Sequence, residues 1–236
     1  MLKKYTLIDK QFGHIYVSLN PRARRITTSW KADGVHVTAP PTVGQDLIWK
    51  IVDDNRERIA KGLQRVAPKP IDLDYAIDAP HFKLRVKDNS IHPDKIYFTY
   101  QEGVVTLSCP PRTDFHHPAL QERLRKGITV MMRRVGKLYL LPRLDELARV
   151  HGLTYAGGKI SSSQGRWGSC SGRRHINLSC YLLLLPSHLI DYVILHELTH
   201  TEEMNHSQRF WKRLDELCGG QCEEWREEMK RYRPEI

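Results

Sequence analysis

The stretch Ile194–Trp211, ILHELTHTEEMNHSQRFW, places three histidines and several carboxylates directly after one of the most apolar runs of the chain. Within it, His196, Glu197 and His200 form the pattern His-Glu-x-x-His. On a helix, residues four apart lie above one another on the same face, so both imidazoles can reach one cation with the glutamate beside them. The stretch therefore predicts a helix that carries a metal site.

The simplest alternative is an exposed polar helix face, and the preceding residues argue against it. Residues 187–195, SHLIDYVIL, are mostly apolar, which indicates a buried helix. A buried helix should not carry two histidines without partners, because burying unpaired polar groups costs free energy. We expect one Zn²⁺ per chain, since zinc accepts imidazole ligands and, with three protein ligands, keeps a fourth position for water. Another divalent transition metal is the alternative.

A third protein ligand is needed, and the sequence offers two sources. His206 lies ten residues after His196 and could reach back if the helix ended just before it. Asn205 favours such an end, because asparagine can adopt the left-handed conformation at a helix C-terminus. Ser207 would then cap the next helix. We predict His206 as the ligand; the competing source is a glutamate on or after the following helix, namely Glu216, Glu223 or Glu224.

Composition limits the class of protein. The chain has 236 residues, 40% of them apolar, and a formal net charge of +10. A basic balance favours phosphate-bearing or acidic partners, so proximity to nucleic acid is one hypothesis, and a solvated basic surface is the alternative. The basic start lacks the apolar run of a signal peptide, and the longest uncharged stretch, Ile176–Ile190, is fifteen residues and contains Pro186. We therefore expect a cytoplasmic protein without a membrane span.

The order of predicted elements indicates an α+β fold in two parts. Short β-branched and aromatic runs separated by turn residues dominate residues 1–112, together with one helix that Gly62 is expected to end. From Ala119 an apolar stripe at helical spacing predicts a long helix, which Pro142 would kink. We expect a β-rich N-terminal region, 1–112, and a second domain, 113–236, in which the metal helix packs on a small sheet.

Four motifs of the second part resemble a known family in their order and spacing: RWGSCS (Arg166–Ser171), INLS (Ile176–Ser179), DYVILHELTH (Asp191–His200) and NHSQRFW (Asn205–Trp211). The chain is similar to YgjP-like metallopeptidases, which are related to the SprT-like proteases and the wider zincin group. The resemblance extends more loosely to the N-terminal part. Thr201 departs from it, because family members usually have an apolar residue there.

The resemblance implies a zincin-like domain with His196, His200 and His206 as metal ligands and Glu197 as the general base. It implies hydrolysis of an unfolded peptide or protein. Some family members are instead described as nucleoside-triphosphate pyrophosphatases, so a nucleotide substrate is the alternative. A third hypothesis is a nucleic-acid-binding module with a structural metal, but structural zinc normally has four protein ligands.

The RWGSCS motif allows three interpretations. A strand beside the metal helix could offer its edge to an extended peptide through main-chain hydrogen bonds. Arg166 could bind a phosphate or a carboxylate. Alternatively, Trp167 and Cys170 only pack under the helix, with Gly168 in close approach. The sequence assigns no catalytic role to the motif.

Overall fold

The computed structural model describes residues 3–31, 34–66, 68–89, 91–92, 94–233 and 236. Helices and three small mixed sheets confirm the predicted α+β class. The chain divides into two compact units, Met1–Lys69 and Pro70–Ile236.

The first unit is a four-stranded sheet with two helices packed on one face. Its strands are β1 (Lys3–Asp9), β2 (Gly13–Leu19), β3 (Thr27–Lys31) and β4 (Gly34–Ala39), and its helices are α1 (Gln45–Asp54) and α2 (Arg56–Val66). The spatial order is β1-β2-β4-β3, with β2 and β4 parallel and the other pairs antiparallel. Alternate residues such as Ile15 and Val37 are buried against Ile48 and Val52 of α1. This alternation is typical of a sheet with only one covered face.

The helical segment of this unit differs from the prediction in two respects. It is broken at Asn55, whose side chain donates to the carbonyl oxygen of Ile51 (2.8 Å) at the end of α1. It then continues through Gly62, which is therefore not the last residue of the helix as predicted. A Cβ at position 62 would lie 2.3 Å from the ring of Trp30, so glycine is required there by close packing with the indole.

The second unit begins with another four-stranded sheet. Its strands are β5 (Ala76–Ala79), β6 (Phe82–Asp88), β7 (Tyr97–Gln101) and β8 (Val104–Cys109), in the order β5-β6-β8-β7. The division of the chain after Lys69 differs from the boundary at residue 112 that the sequence suggested. The reason is burial, because Leu84 and Leu107 of this sheet share one apolar core with Leu124 and Ile128 of the next helix.

That helix, α3 (Pro118–Val150), is 33 residues long and passes through Pro142. Pro118 stands at its first position, where the missing N–H costs nothing, and Gly152 adopts a positive φ of 65° just beyond its end. Most of its apolar stripe lies in the core, as the periodicity predicts, but Leu138, which has the same spacing, is 60% exposed. Of the helices in the described ranges, none has the combination of length and apolar character that a bilayer crossing requires.

The last part of the chain surrounds a three-stranded sheet. Strands β9 (Gly157–Ser161), β10 (Gly168–Cys170) and β11 (His175–Ser179) lie in the order β10-β11-β9, so β10 is an edge strand. A short 3-10 helix, Cys180–Leu184, leads to α4 (Ser187–Thr199), and α5 (Gln208–Leu217) and α6 (Cys222–Met229) follow. Helix α4 packs against both α3 and β10. The His-Glu-x-x-His pattern therefore lies beside the edge strand that the RWGSCS motif forms.

Candidate metal centre

Three histidine side chains converge at the C-terminal end of α4. One ring nitrogen from each of His196, His200 and His206 lies within 4.8 Å of the other two. Nε2 of His196 and Nε2 of His206 are 3.1 Å apart. Two imidazole nitrogens bound at 2.0–2.1 Å to one tetrahedral ion would be about 3.3 Å apart. The donor set and its spacing therefore fit a divalent transition metal.

The path of the chain to His206 differs from the expected one. The sequence predicted a helix that ends just before His206, with Asn205 in a left-handed conformation. Instead α4 ends at Thr199, with His200 as its C-cap, and Asn205 does not have a positive φ. The residues between the helices form turns that return His206 to the helix end.

Two threonines account for this early end. The Thr199 hydroxyl donates to the carbonyl oxygen of Leu195 (2.7 Å), and the Thr201 hydroxyl donates to that of Leu198 (2.8 Å). The amide of Thr201 also donates to Leu198, three residues back instead of four. Threonine side chains compete in this way with helical amides, and a 3-10 bond tightens the last turn. Thr201, the departure from the family pattern, is thus part of the helix terminus.

Helix α5 supports the third histidine. The Ser207 side chain accepts a hydrogen bond from the amide of Phe210 (3.3 Å), which confirms the predicted N-cap. The fully buried Phe210 ring lies 4.9, 4.6 and 4.7 Å from the rings of His196, His200 and His206. Trp211 stacks on His206 at 5.5 Å. The cluster therefore has an aromatic wall on the side of α5.

The protonation of the histidines suits metal binding. Nδ1 of His200 donates to the carbonyl oxygen of Glu203 (3.1 Å), which leaves Nε2 as the free nitrogen. Burial, followed by the charges of His200, His206 and Arg226, lowers the pKa of His196 to about 3. Burial also lowers the pKa of His200. A metal binds neutral imidazole, so these rings are available as ligands at neutral pH.

Glu197 follows His196 on α4 and contacts β10. Its side chain is buried, and this burial raises its pKa to about 7, although the charge of Arg166 and the amide hydrogen bond from Cys170 act in the opposite direction. Gly168 lies so close that a Cβ there would be 2.6 Å from Glu197 Oε1. The close approach of Gly168 to the helix was one of the three interpretations of the RWGSCS motif, but the sequence did not reveal that its contact is Glu197.

The competing glutamate ligands lie away from the histidine nitrogens. Glu216 and Glu223 are exposed and pair with Arg213 and Arg226 at 3.7 and 3.3 Å. Glu224, in the first turn of α6, is exposed as well. Within the part of the chain that the structure describes, the group with metal-ligating spacing consists of the three histidines alone.

Two arginines act electrostatically on the centre. The charge of Arg166 acts to lower the pKa of Glu197, a relation that the sequence did not suggest. Arg226 of α6 influences that of His196, and its guanidinium lies 4.7 Å from the centroid of the Trp211 ring. The sequence did not indicate Arg226, because no local pattern relates α6 to a helix thirty residues earlier.

Imidazoles that could hold a metal ion, next to a buried carboxylate, are typical of metal-dependent hydrolases. The α+β fold that positions them is consistent with that class of enzyme. The family model described as YgjP-like, metallopeptidase domain, matches residues 24–232. The chain therefore belongs to the YgjP-like metallopeptidase family, which confirms the resemblance in the sequence motifs. A search of curated proteins and a search of solved structures each found no match.

Proposed function

We propose that the protein is a zinc-dependent peptidase that cleaves unfolded polypeptide chains at the histidine centre. The observation that carries the proposal is that Glu197, the residue after His196 on α4, is buried against the edge strand β10. A divalent ion bound there would polarise a carbonyl group and lower the pKa of its water to about 7. His196, His200 and His206 are the proposed ligands, and the family supports a divalent metal of this kind.

The proposed role of Glu197 is proton transfer. Its carboxylate accepts a proton from the attacking water and returns it to the nitrogen of the leaving amine. A general base works best when its pKa lies near the working pH, and burial raises the pKa of Glu197 to about 7. Gly168 and the Cys170 amide position this carboxylate without taking part in the reaction.

A peptide substrate is supported by the strand next to the centre. β10 pairs only with β11 among the described strands, and the Cys170 amide on its other edge donates to Glu197. The remaining main-chain groups of that edge could pair with an extended chain. Main-chain pairing needs an unfolded segment and little sequence specificity. This is the reason for proposing unfolded chains as the substrate.

The alternative, cleavage of a nucleoside triphosphate, is supported by a different observation. Arg166 and Arg226 both act electrostatically on the centre, and arginine is well suited to bind phosphate oxygens. A triphosphate would depend strongly on these charges. A peptide would depend on them much less, because its bound backbone is neutral.

Parallel assays separate the two substrates. The zinc-loaded protein would be incubated with fluorescein-labelled casein and, separately, with nucleoside triphosphates, at low and high salt. We expect chelator-sensitive cleavage of casein that changes less than about threefold with salt, because exposed charge interactions are the ones that salt screens. Arg166→Gln should slow this cleavage no more than about threefold, because a neutral peptide backbone gains little from the guanidinium. Arg173→Gln removes an equal charge from the neighbouring turn and is the matched control.

The opposite result would be release of phosphate or pyrophosphate that falls with salt and with Arg166→Gln but not with Arg173→Gln. If Glu197→Gln also abolished that release, and no protein were cleaved, the nucleotide reaction would replace the peptidase proposal.

Gly168→Ala tests the contact between β10 and the general base. The new Cβ would lie 2.6 Å from Oε1 and 2.7 Å from Cγ of Glu197, so the carboxylate must move. We expect casein cleavage to fall by about a hundredfold, because a misplacement of a catalytic group by about 1 Å can cost that much. The metal content should not change. Gly165→Ala is the control, because no heavy atom lies within 4 Å of its added Cβ. Equal activity of the two variants would remove the positioning role of Gly168.

A further inference from the structure

The first unit has an uncovered sheet face that the proposed peptidase reaction does not use. Both helices of the unit pack on one side of the sheet, and the other side carries a row across all four strands: Thr6, Tyr16, His36 and Ser29. We call the side that contains this row, with Lys4 and Lys31 at its ends, the open face. Ile8 of the outer strand β1 belongs to it and is 76% exposed, whereas the central Tyr16 and His36 are half-buried.

Aromatic rings occupy the two central strands of the open face. Tyr16 of β2 and His36 of β4 are direct neighbours in the parallel register, and their rings stack at 4.9 Å with an interplanar angle of 28°. His14 lies two residues before Tyr16, and its ring centroid is 6.0 Å from that of Tyr16. Rings presented on the middle of an open sheet are a platform on which unpaired nucleic-acid bases stack.

The charge of the chain is concentrated in this unit. Residues 1–69 contain 13 lysines and arginines against 6 aspartates and glutamates, which is +7 of the total +10. Arg22, Arg24 and Arg25 are exposed in the loop between β2 and β3, beside the end of the sheet where Lys4 lies. A polyanion that crossed the open face would meet positive charge at both ends, from Lys4 and this loop and from Lys31.

Hydroxyl side chains separate the aromatic rings from these charges. Ser18 and Thr38 are neighbours on β2 and β4, and Thr6 and Ser29 flank the aromatic pair on the outer strands. Hydroxyls donate and accept hydrogen bonds, and a ribose 2′-hydroxyl does both. Deoxyribose offers no such group. The polar part of the open face therefore favours RNA.

We infer that the open face of the first unit binds single-stranded RNA. The bases stack on the faces of the Tyr16 and His36 rings that are turned away from each other. The sugars contact the hydroxyl side chains, and the phosphates meet the lysines and the basic loop. A duplex is excluded by this geometry, because its bases are already stacked and cannot reach the rings.

The first experiment measures fluorescence anisotropy of a labelled single-stranded RNA of about twelve nucleotides with the full chain. DNA of the same sequence and the corresponding RNA duplex are measured in parallel. We expect the single-stranded RNA to bind more tightly than either competitor, with an affinity that falls as salt rises. Equal or tighter binding of the DNA or the duplex would overturn the inference, as would no binding at low salt.

Variants of the tyrosine test the platform. Tyr16→Ala should weaken RNA binding by about tenfold, whereas Tyr16→Phe keeps the ring and should stay within about threefold of the parent chain. Thermal unfolding of each variant verifies that the unit is folded. Glu197→Gln should bind RNA as the parent does, because it changes only the proposed peptidase centre. Unchanged binding by a folded Tyr16→Ala variant would contradict the stacking role.

Two double variants, each of which removes two positive charges, test whether the RNA binds at the open face. Lys4 and Lys31 lie on the open face, while Lys50 and Lys61 are exposed on α1 and α2. Changing the first pair to glutamine should reduce the slope of log affinity against log salt by about 0.7 for each phosphate that a lysine no longer neutralises. Changing the second pair should leave the affinity within about twofold, since bulk charge alone has a small effect. An equal decrease in affinity for both pairs would mean that net charge, and not the open face, attracts the RNA.

Discussion

Glu197→Gln is expected to lower the rate of casein cleavage by about a thousandfold, which is within the usual contribution of a general base. Glutamine keeps the size of the side chain but cannot accept the proton of the attacking water. The three proposed ligands are untouched, so the metal content should stay at about one equivalent per chain. Elemental analysis of the same sample provides that second measurement.

Glu202→Gln is the matched control for this prediction. Glu202 lies five residues later, is exposed and pairs with Arg213 at 2.8 Å, so its change should leave cleavage nearly unaffected. If Glu197→Gln retained the activity of the parent chain, the carboxylate would not be the base and the proposed mechanism would be wrong. If it lost both activity and metal, Glu197 would have to be counted among the ligands.

His196→Ala and His206→Ala are each expected to lower zinc affinity by more than about a hundredfold. Removing a group that only hydrogen-bonds to a metal ligand already costs up to about a hundredfold, and these variants remove the ligand itself. The purified variants should then contain less than about a tenth of an equivalent of metal and should not cleave casein. Both histidines contribute a nitrogen to the cluster, and their Nε2 atoms are 3.1 Å apart. Titration with Zn²⁺ and elemental analysis measure the effect.

His188→Ala is the control, because His188 is on the same helix but is not part of the cluster. Its Nε2 atom lies 2.8 Å from a carboxylate oxygen of Glu228. The His188→Ala variant should keep its zinc.

A different result for the ligand variants would restore the competing ligand source. If His206→Ala kept its metal and Glu223→Ala or Glu224→Ala lost it, the third ligand would come from α6.

Much of the centre follows from local sequence. The spacing of His196 and His200 places them on one helical face in any helix that includes both. Ser207 caps α5 through a bond to an amide three residues away, which is also a local interaction. Most of the long stripe of α3 is buried for the same reason, since 3.6-residue periodicity brings these apolar side chains to one side.

Other features depend on interactions that the sequence pattern does not show. The first unit ends at Lys69 because the strands that follow share a core with α3, and no pattern within those strands specifies that partner. Helix α4 ends earlier than Asn205 suggests because two threonine hydroxyls bind carbonyl oxygens of its last turn. Gly62 does not end the helix. Glycine is needed there because the Trp30 ring packs against it, and the sequence did not indicate this contact because Trp30 lies thirty-two residues earlier.

The sequence by itself determined the α+β class and the basic charge, and it predicted a site formed by the three histidines and Glu197, because these depend on composition and on spacings of at most ten residues. Only the tertiary structure decided that Gly168 touches Glu197 and that Tyr16 stacks on His36. Both contacts depend on packing between separate segments. The first needs α4 to pack against β10, and the second needs β2 to pair in parallel with β4 and not with β3, the next strand along the chain. Such pairings are selected by burial of the whole core, so the residues that make them carry no local signal.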